Sequence, residues 1–427
     1  MLPGVAKWMW RWLCPDDLLC SLAGKTTKNN CDLMLLSNRL KTGPVRQMLA
    51  SAALLFGSTS VAAPEGDINL DGAVNVVDVL QGLQVLHGNR SLNTSQLEQG
   101  DLAPLLDGWP QPDGTFNLAD ALLILRVALG LVNFSYPGNQ FNIGDSIGEG
   151  EEANGTIGDP NHETVWSTGY AGGDSVDSFN ERLEQIDAPG YYENTNARDS
   201  VFNHADSGAV MADFVTQAQA VVSSTAQVPG GAAGMVTVFL GNNDVCADTL
   251  ADMTDPVLFE TQYRAGLDVL STSPATRSAR ISVSGIPAIY WLWEAKRSNL
   301  WCRLIWAGVP CQNLLAGAGD DCASSASRND PDMNYPGDGS NCLRRKAFHR
   351  TIRDTYNPIL RDVLAEYRDN RQLPNATYTD IYDVRFESVH VNGGDCFHPS
   401  EAGHALLAAK EWCRAPWGSA DAQCASQ

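Results

Sequence analysis

The sequence predicts an α/β domain with a parallel sheet over residues 141–427, preceded by a small all-α module over residues 64–132. Three observations predict it. Short apolar runs alternate with helical periods through most of the chain, the pattern of a parallel sheet flanked by helices. A loop rich in Asp, Asn and Gly occurs twice near the start, and each copy leads into an apolar period of helical spacing. Hydrophobic residues make up 44% of the 427 residues against 19% charged, which supplies a core and excludes wholesale disorder. The net charge of −21 disfavours nucleic acid and anionic membrane surfaces as partners. No apolar run reaches the roughly 20 residues of a bilayer span.

The first element is a leader, residues 1–63. The apolar stretch Met48–Phe56 follows Arg39, Lys41 and Arg46 and precedes the small residues Ser60, Val61, Ala62 and Ala63. A basic region, a short apolar core and a small-residue cleavage site describe a secretory signal, so a secreted or periplasmic protein is expected. A buried core helix is the competing reading. The signal lies far inside the chain, and Met34 is an alternative initiator. The leader holds seven basic and three acidic residues, so the remainder is more acidic still. Cys14, Cys20 and Cys31 fall in the leader, leaving Cys246, Cys302, Cys311, Cys322, Cys342, Cys396, Cys413 and Cys424. An even count in an exported chain reads as up to four disulfides, whose connectivity stays open. No Cys-x-x-Cys pair is present, which argues against a zinc ribbon or thioredoxin-like motif.

The duplicated loop comes next. In the first copy Asp67, Asn69, Asp71, Ala73, Asn75 and Asp78 stand at loop positions 1, 3, 5, 7, 9 and 12, with Gly72 at 6. Oxygen ligands at those positions, a backbone carbonyl at 7 and a glycine for the sharp turn are what calcium demands. In the second copy Asp101 restarts the pattern, and Asp113, Gly114, Thr115, Asn117 and Asp120 complete it after an insertion of eight residues. A pair of Asx turns capping helices is the competing reading. The segment resembles a dockerin, the EF-hand-like module whose paired calcium loops dock onto cohesins. The resemblance implies structural calcium and a cohesin-like partner. Two departures stand out: the insertion separates Asp101 from Asp113, and the recognition positions carry Val76-Val77 and Leu118-Ala119 instead of Ser/Thr.

Residues 133–140 read as a short linker. Beyond it, Met235–Leu240 and Ala279–Ile286 read as buried strands and Arg353–Arg368 as a helix. Four short blocks follow one another. They are Gly144-Asp145-Ser146, the Asn203–Gly208 stretch, Gly241-Asn242-Asn243-Asp244 and Asp395-Cys396-Phe397-His398. A serine becomes nucleophilic at neutral pH only beside a base, and the base must itself be oriented. Ser146 directly after a strand is the candidate nucleophile, His398 the candidate base, and Asp395 three residues earlier its orienting partner.

Together the blocks resemble the SGNH hydrolases, also called the GDSL lipase/esterase family, and most of all its phospholipase B-like branch. That resemblance implies a three-layer α/β/α flavodoxin-like sandwich. It also implies an oxyanion hole made by the Ser146 amide, the Gly208 amide and the Asn243 side chain. No cofactor is expected for catalysis.

Each assignment has a rival. Ser175 sits in a second Gly-Asp-Ser, inside a glycine-rich stretch. His404 lies in a helical pattern and reads as structural, and His390 lies in an expected strand. Asn243 has a plain turn as its alternative. Trp291, Trp293, Trp301 and Trp306 cluster after a strand, either as an aromatic wall for an acyl chain or as packing beneath a disulfide-pinned loop. The expected activity is hydrolysis of carboxylic esters, lipid acyl esters foremost, through an acyl-serine. The alternatives are a polysaccharide O-acetyl esterase, or a docking or adhesion protein with an inert hydrolase domain. The latter gives no reason to keep Ser146, Asn243, Asp395 and His398 together.

Overall fold

The computed structural model describes residues 65–427 apart from 107–108, 133, 135, 157, 187–190, 309–310, 316–318, 416, 419–423 and 425–427. The expected leader lies outside the described residues.

Four parallel strands form the central sheet in the order β1 (Gln140–Gly144), β2 (Met235–Phe239), β3 (Arg280–Ser284) and β4 (Ala376–Thr379). Phe141 pairs with Val236, Val236 with Ile281, and Val283 with Tyr378. Every residue of β1, β2 and β3 is buried, as a parallel sheet covered on both faces requires. A single parallel bridge joins Asn142 to Asn203 on the outer side of β1. Residue 203 precedes β2 in the chain, so the first crossover returns past the edge of β1 before entering the sheet.

Alternation of side chains divides the sheet residues between two cores. Phe141, Ile143, Val236, Val238, Ile281 and Val283 join one, which also takes residues of α4 (Phe214–Ser224), α5 (Pro256–Thr272) and α8 (Asn357–Asp369). Met235 and Phe239 join the other, with Leu407, Ala408 and Trp412 of α9 (Glu401–Arg414). Helices α4 and α5 cross closely because residue 266 has no side chain: a Cβ there would stand 2.1 Å from the Phe214 ring. The result is an α/β fold with a parallel sheet and helices on both faces.

The N-terminal module consists of α1 (Val76–Leu86), α2 (Thr94–Gly100) and α3 (Leu118–Ala128). It is not wholly helical as expected. Leu105–Leu106 pairs antiparallel with Trp109–Pro110. The insertion must leave and re-enter the same loop, because Asp120 Oδ1 accepts the amides of Leu102 and Ala103 while Asp101 accepts those of Asp113 and Gly114. Doubling back as a hairpin satisfies backbone groups on the way. Within segment 133–140, Phe134 is buried, Tyr136 lies 6.1 Å from the Trp417 ring, and Gln140 already belongs to β1. Ile68, Leu102, Ile124 and Phe134 share the second core with Trp166, Phe239 and Trp412.

Candidate active site

The four blocks meet at the carboxyl ends of β1 and β2, where crossover loops of a parallel sheet open a crevice. Ser146 begins a single helical turn, Ser146–Glu149, whose N-cap is Asp145. The Asp145 carboxylate accepts the Ile147 amide at 3.0 Å and the Asn242 side-chain amide at 2.8 Å, tying the first block to the third. Full burial pushes the Asp145 pKa up to about 6, against the lowering effect of Asn242, the Ile147 amide and the charge of His398. The turn packs tightly on the sheet edge. Asn142 and Asn203 both donate to the Gly148 carbonyl, at 2.9 and 3.1 Å, and a Cβ at 148 would stand 2.9 Å from that of Ala205.

His398 Nδ1 is hydrogen-bonded to Asp395 Oδ2 at 2.5 Å. Asp395 also accepts the amides of Phe397 and His398, at 2.9 and 3.2 Å. Burial works against its ionisation, but the His398 bond and charge and these amides outweigh it and hold the carboxyl below its ordinary range. Burial likewise disfavours a charged His398. The Asp395 bond and the charges of Asp395, Glu151 and Glu152 prevail, so its pKa lies above the ordinary imidazole value.

The loop carrying this pair is anchored from the side of α6 (Ile289–Lys296) and α7 (Leu300–Ile305). Cys396 is bonded to Cys302, Trp306 Nε1 donates to the Cys396 carbonyl at 2.8 Å, and Trp301 Nε1 donates to that of Gly394 at 2.9 Å.

The expected oxyanion donors come from two stitched loops. Asn243 Nδ2 donates to the Ala209 carbonyl at 2.9 Å, and Asp244 accepts the Met211 amide at 2.7 Å. An Asn side chain has two N–H groups, so the Ala209 bond orients Asn243 and leaves the second. Gly208 adopts φ +81°, a conformation that side chains rarely take.

Ser146, Asn242, Asn243 and His398 line one open cleft of ≈ 650 Å³. Its other walls are apolar, with Ile147, Ile289, Leu292, Phe386, Val391 and Phe397 prominent. Asp395 sits behind His398, and Gly208 lies outside the lining of this cleft. The rivals are elsewhere. The Ser175 hydroxyl donates to Glu401 at 2.7 Å on the surface. His404 is fully buried in α9, with burial driving its pKa to about 3. His390 closes a 3-10 turn, Ser388–His390, instead of the expected strand, because its own Nδ1 accepts the Glu387 amide at 3.0 Å. The aromatic-wall reading of the tryptophans is corrected as well. None of the four lines the cleft; Trp293 and Trp306 are buried, and Trp301 and Trp306 hold the Asp395–His398 loop. The eight expected cysteines pair as 246–311, 302–396, 322–342 and 413–424.

The two acidic loops have matching hydrogen bonds. Gly72 donates to Asp67 at 2.7 Å and Gly114 to Asp101 at 2.6 Å; Asn75 donates to Asp78 at 2.9 Å and Asn117 to Asp120 at 2.7 Å. Asp101 and Asp113 are therefore brought together across the insertion, in the places of Asp67 and Asp71. Ala103 takes the place of Asn69, donating to Asp120 as Asn69 donates to Asp78, and offers no side-chain oxygen. Asp71 and Thr115 are exposed at the loop mouths, and Asn75 is half-buried. Asp67, Asp78, Asp101 and Asp120 are buried, yet none forms a salt bridge among the described residues. Buried carboxylates without a cation are unfavourable, and this all-oxygen donor set fits a hard divalent ion. Asn75 and Asn117 also cap α1 and α3, so the Asx-cap reading holds alongside.

Two features carry little or no signal in the sequence. One is the Asp145–Asn242 bond, signalled only by the middle residue of the Gly-Asp-Ser block. The other is Glu152, a buried carboxyl beside Asp395 and His398, for which the sequence carries no local signal.

No curated protein matches the chain significantly. Residues 141–411, well over half of the chain, match the family described as GDSL-like lipase/acylhydrolase. That span opens within β1, contains all four blocks and closes in α9, and on this ground the chain belongs to the GDSL-like lipase/acylhydrolase family and is a serine ester hydrolase.

Proposed function

We propose that the protein is an exported hydrolase of carboxylic esters with an apolar acyl chain, of the phospholipase B-like kind, working through an acyl-enzyme on Ser146. The cleft carries this reading: beside Ser146 and His398 its surface is built from aliphatic and phenylalanine side chains, which bind hydrocarbon and give a sugar hydroxyl few partners. In the reaction, Ser146 Oγ attacks the ester carbonyl carbon and its proton passes to His398. Asp395 holds the imidazole and stabilises its charged form. The oxyanion is received by the Ser146 and Gly208 amides and the second N–H of Asn243. Collapse expels the alcohol, which takes the proton from His398. Water then attacks the acyl-serine with His398 again as base, releasing the acid and restoring Ser146.

Four disulfides among the described residues support export to an oxidising compartment. The four buried loop carboxylates support structural calcium in the dockerin-like module. A cohesin-like protein partner rests on the resemblance alone; Val76, Val77 and Leu118 are exposed but depart from the Ser/Thr of the recognition positions.

A series of nitrophenyl esters from acetate to palmitate tests the substrate reading. The expected result is kcat/KM rising with chain length beyond acetate. Activity confined to acetate, with acetate release from acetylated polysaccharide, would replace it with the O-acetyl esterase reading. A fluorophosphonate probe is expected on Ser146 and not on Ser175.

A further inference from the structure

Glu152 has no part in the reaction described above, yet its position is built with care. A carboxyl oxygen of Glu152, one of Asp395 and a ring nitrogen of His398 all lie within 4.8 Å of one another. Glu152 is 5% exposed, and while Oε1 accepts the Gly158 amide at 2.9 Å, Oε2 is buried without a hydrogen-bond partner. The residue adopts φ +59°, a left-handed conformation unusual for a side chain of this size. The surrounding structure holds it there. Asn392, on the catalytic loop, donates its side-chain amide to the Glu152 carbonyl, and Glu401 donates its amide to that of Ala153 at 3.0 Å. Strain of this kind persists where neighbours impose it, and it gathers at working sites.

Two buried carboxyls so close cannot both ionise freely. Asp395 accepts the imidazole and two amides, whereas the Glu152 carboxyl accepts one amide. The better-solvated anion is Asp395, so the proton resides on Glu152. We propose that Glu152 is a positioning residue of the active site: its protonated Oε2 donates to Asp395 and fixes that carboxylate as the acceptor of the His398 Nδ1 proton. The inference rests on His398 being the base. Directions of titration agree with it, since burial and the Asp395 charge raise the Glu152 pKa.

The other titratable groups facing this trio are Glu151, Asp145 and the neutral His404, which face His398, and Lys296 of α6, which faces Asp395. While Glu152 keeps its proton, His398 faces a single anion from the carboxyl pair. Loss of that proton adds a second anion and makes His398 hold its own proton more tightly.

The test is the pH profile of kcat/KM on a nitrophenyl ester, with the full chain carrying Glu152→Gln or Glu152→Leu. Gln keeps a donor and, like the protonated Glu152, carries no charge, so its acid limb should coincide with that of the wild type; were Glu152 ionised, its charge would raise the His398 pKa and Gln would move the limb to lower pH. Leu has the bulk without the donor, and should lose about 10- to 100-fold in kcat with little change in KM, most of which Gln restores. A Gln acid limb displaced by about one pH unit to lower pH, or Leu performing as well as Gln, overturns the proposal. Nitrogen NMR of the His398 ring in the unmodified protein decides the question if a variant fails to fold. Two inflections with pH are expected, and one overturns the proposal. Fluorophosphonate labelling separates the failures. A labelled Ser146 with a displaced Gln acid limb sinks the Glu152 inference alone, and an unlabelled Ser146 sinks the base assignment with it.

Discussion

Asn243 donates to the carbonyl of Ala209, the residue that follows Gly208, so a single hydrogen bond sets two of the three proposed oxyanion donors. Removing the Asn243 side chain both deletes a donor and releases the loop that carries another. Asn243→Ala should lower kcat by about 10²–10³ with a modest change in KM, as loss of a transition-state donor does. Steady-state kinetics on a nitrophenyl ester checks this. An effect confined to KM would make Asn243 a ground-state contact.

In the proposed mechanism His398 must be neutral to accept the Ser146 proton. Against the opposing effect of burial, the Asp395 bond and charge, with the charge of Glu151, raise the His398 pKa above its ordinary 6.5. Activity should therefore fall as pH drops, with the half-maximal point of kcat/KM above pH 6.5. A midpoint at or below 6.5 would contradict the charge arrangement around the imidazole.

Glu411 is buried in α9 facing Ser284 and Thr379, and burial raises its pKa from 4.5 to about 7. The folded state thus holds its proton more tightly than the unfolded chain. The stabilising contribution is complete below pH 4.5 and is lost as pH rises through 7. Glu411→Gln stays neutral throughout, so its melting temperature should gain on that of the wild type between pH 5 and pH 8. The gain at the upper end corresponds to about 3 kcal/mol. Parallel melting curves at every pH would mean that Glu411 ionises in the fold without penalty.

Calcium should bind the two loops unequally. Loop one offers Asn69 at the place where loop two has Ala103, one side-chain oxygen fewer. Titration calorimetry should resolve two sites, with Asp71→Ala removing the tighter and Asp113→Ala the weaker; equal affinities would mean that the Asn69 side-chain oxygen is not a ligand. Ile68, Leu102 and Ile124 share a core with Trp166 and Trp412. A chelator should therefore lower the melting temperature of the hydrolase as well as the helical signal of the module. A hydrolase transition that ignores the chelator would show the shared core to be energetically trivial.

How much of this was legible depends on the distance over which the information is carried. The nucleophile block, the Asn243 block and the Asp395–His398 pair are each written within a few residues, and the structure draws them to one crevice. The strands over 235–240 and 279–286 were readable because a sheet buried on both faces is apolar along its length. Glu152 was not readable, because its meaning depends on Asp395 and on an Asn392 contact 240 positions away. The tryptophans misled for a related reason. Trp301 and Trp306 are spent on the carbonyls of Gly394 and Cys396, and the cleft wall falls instead to their plainer neighbours Ile289 and Leu292. The pairing of Asp101 with Asp113 depended on a hairpin that eleven residues of sequence do not announce.

The Cys302–Cys396 bond bears on when the enzyme begins to work. Cys396 stands between Asp395 and Phe397, so the bond holds the loop of the catalytic base to α7. Before the chain meets an oxidant, that loop is tied to α7 by the two indole hydrogen bonds. Hydrolytic activity is therefore expected to rise as this disulfide closes. Recombinant material from a reducing cytosol should accordingly be full-length, acidic and sluggish until its thiols are closed.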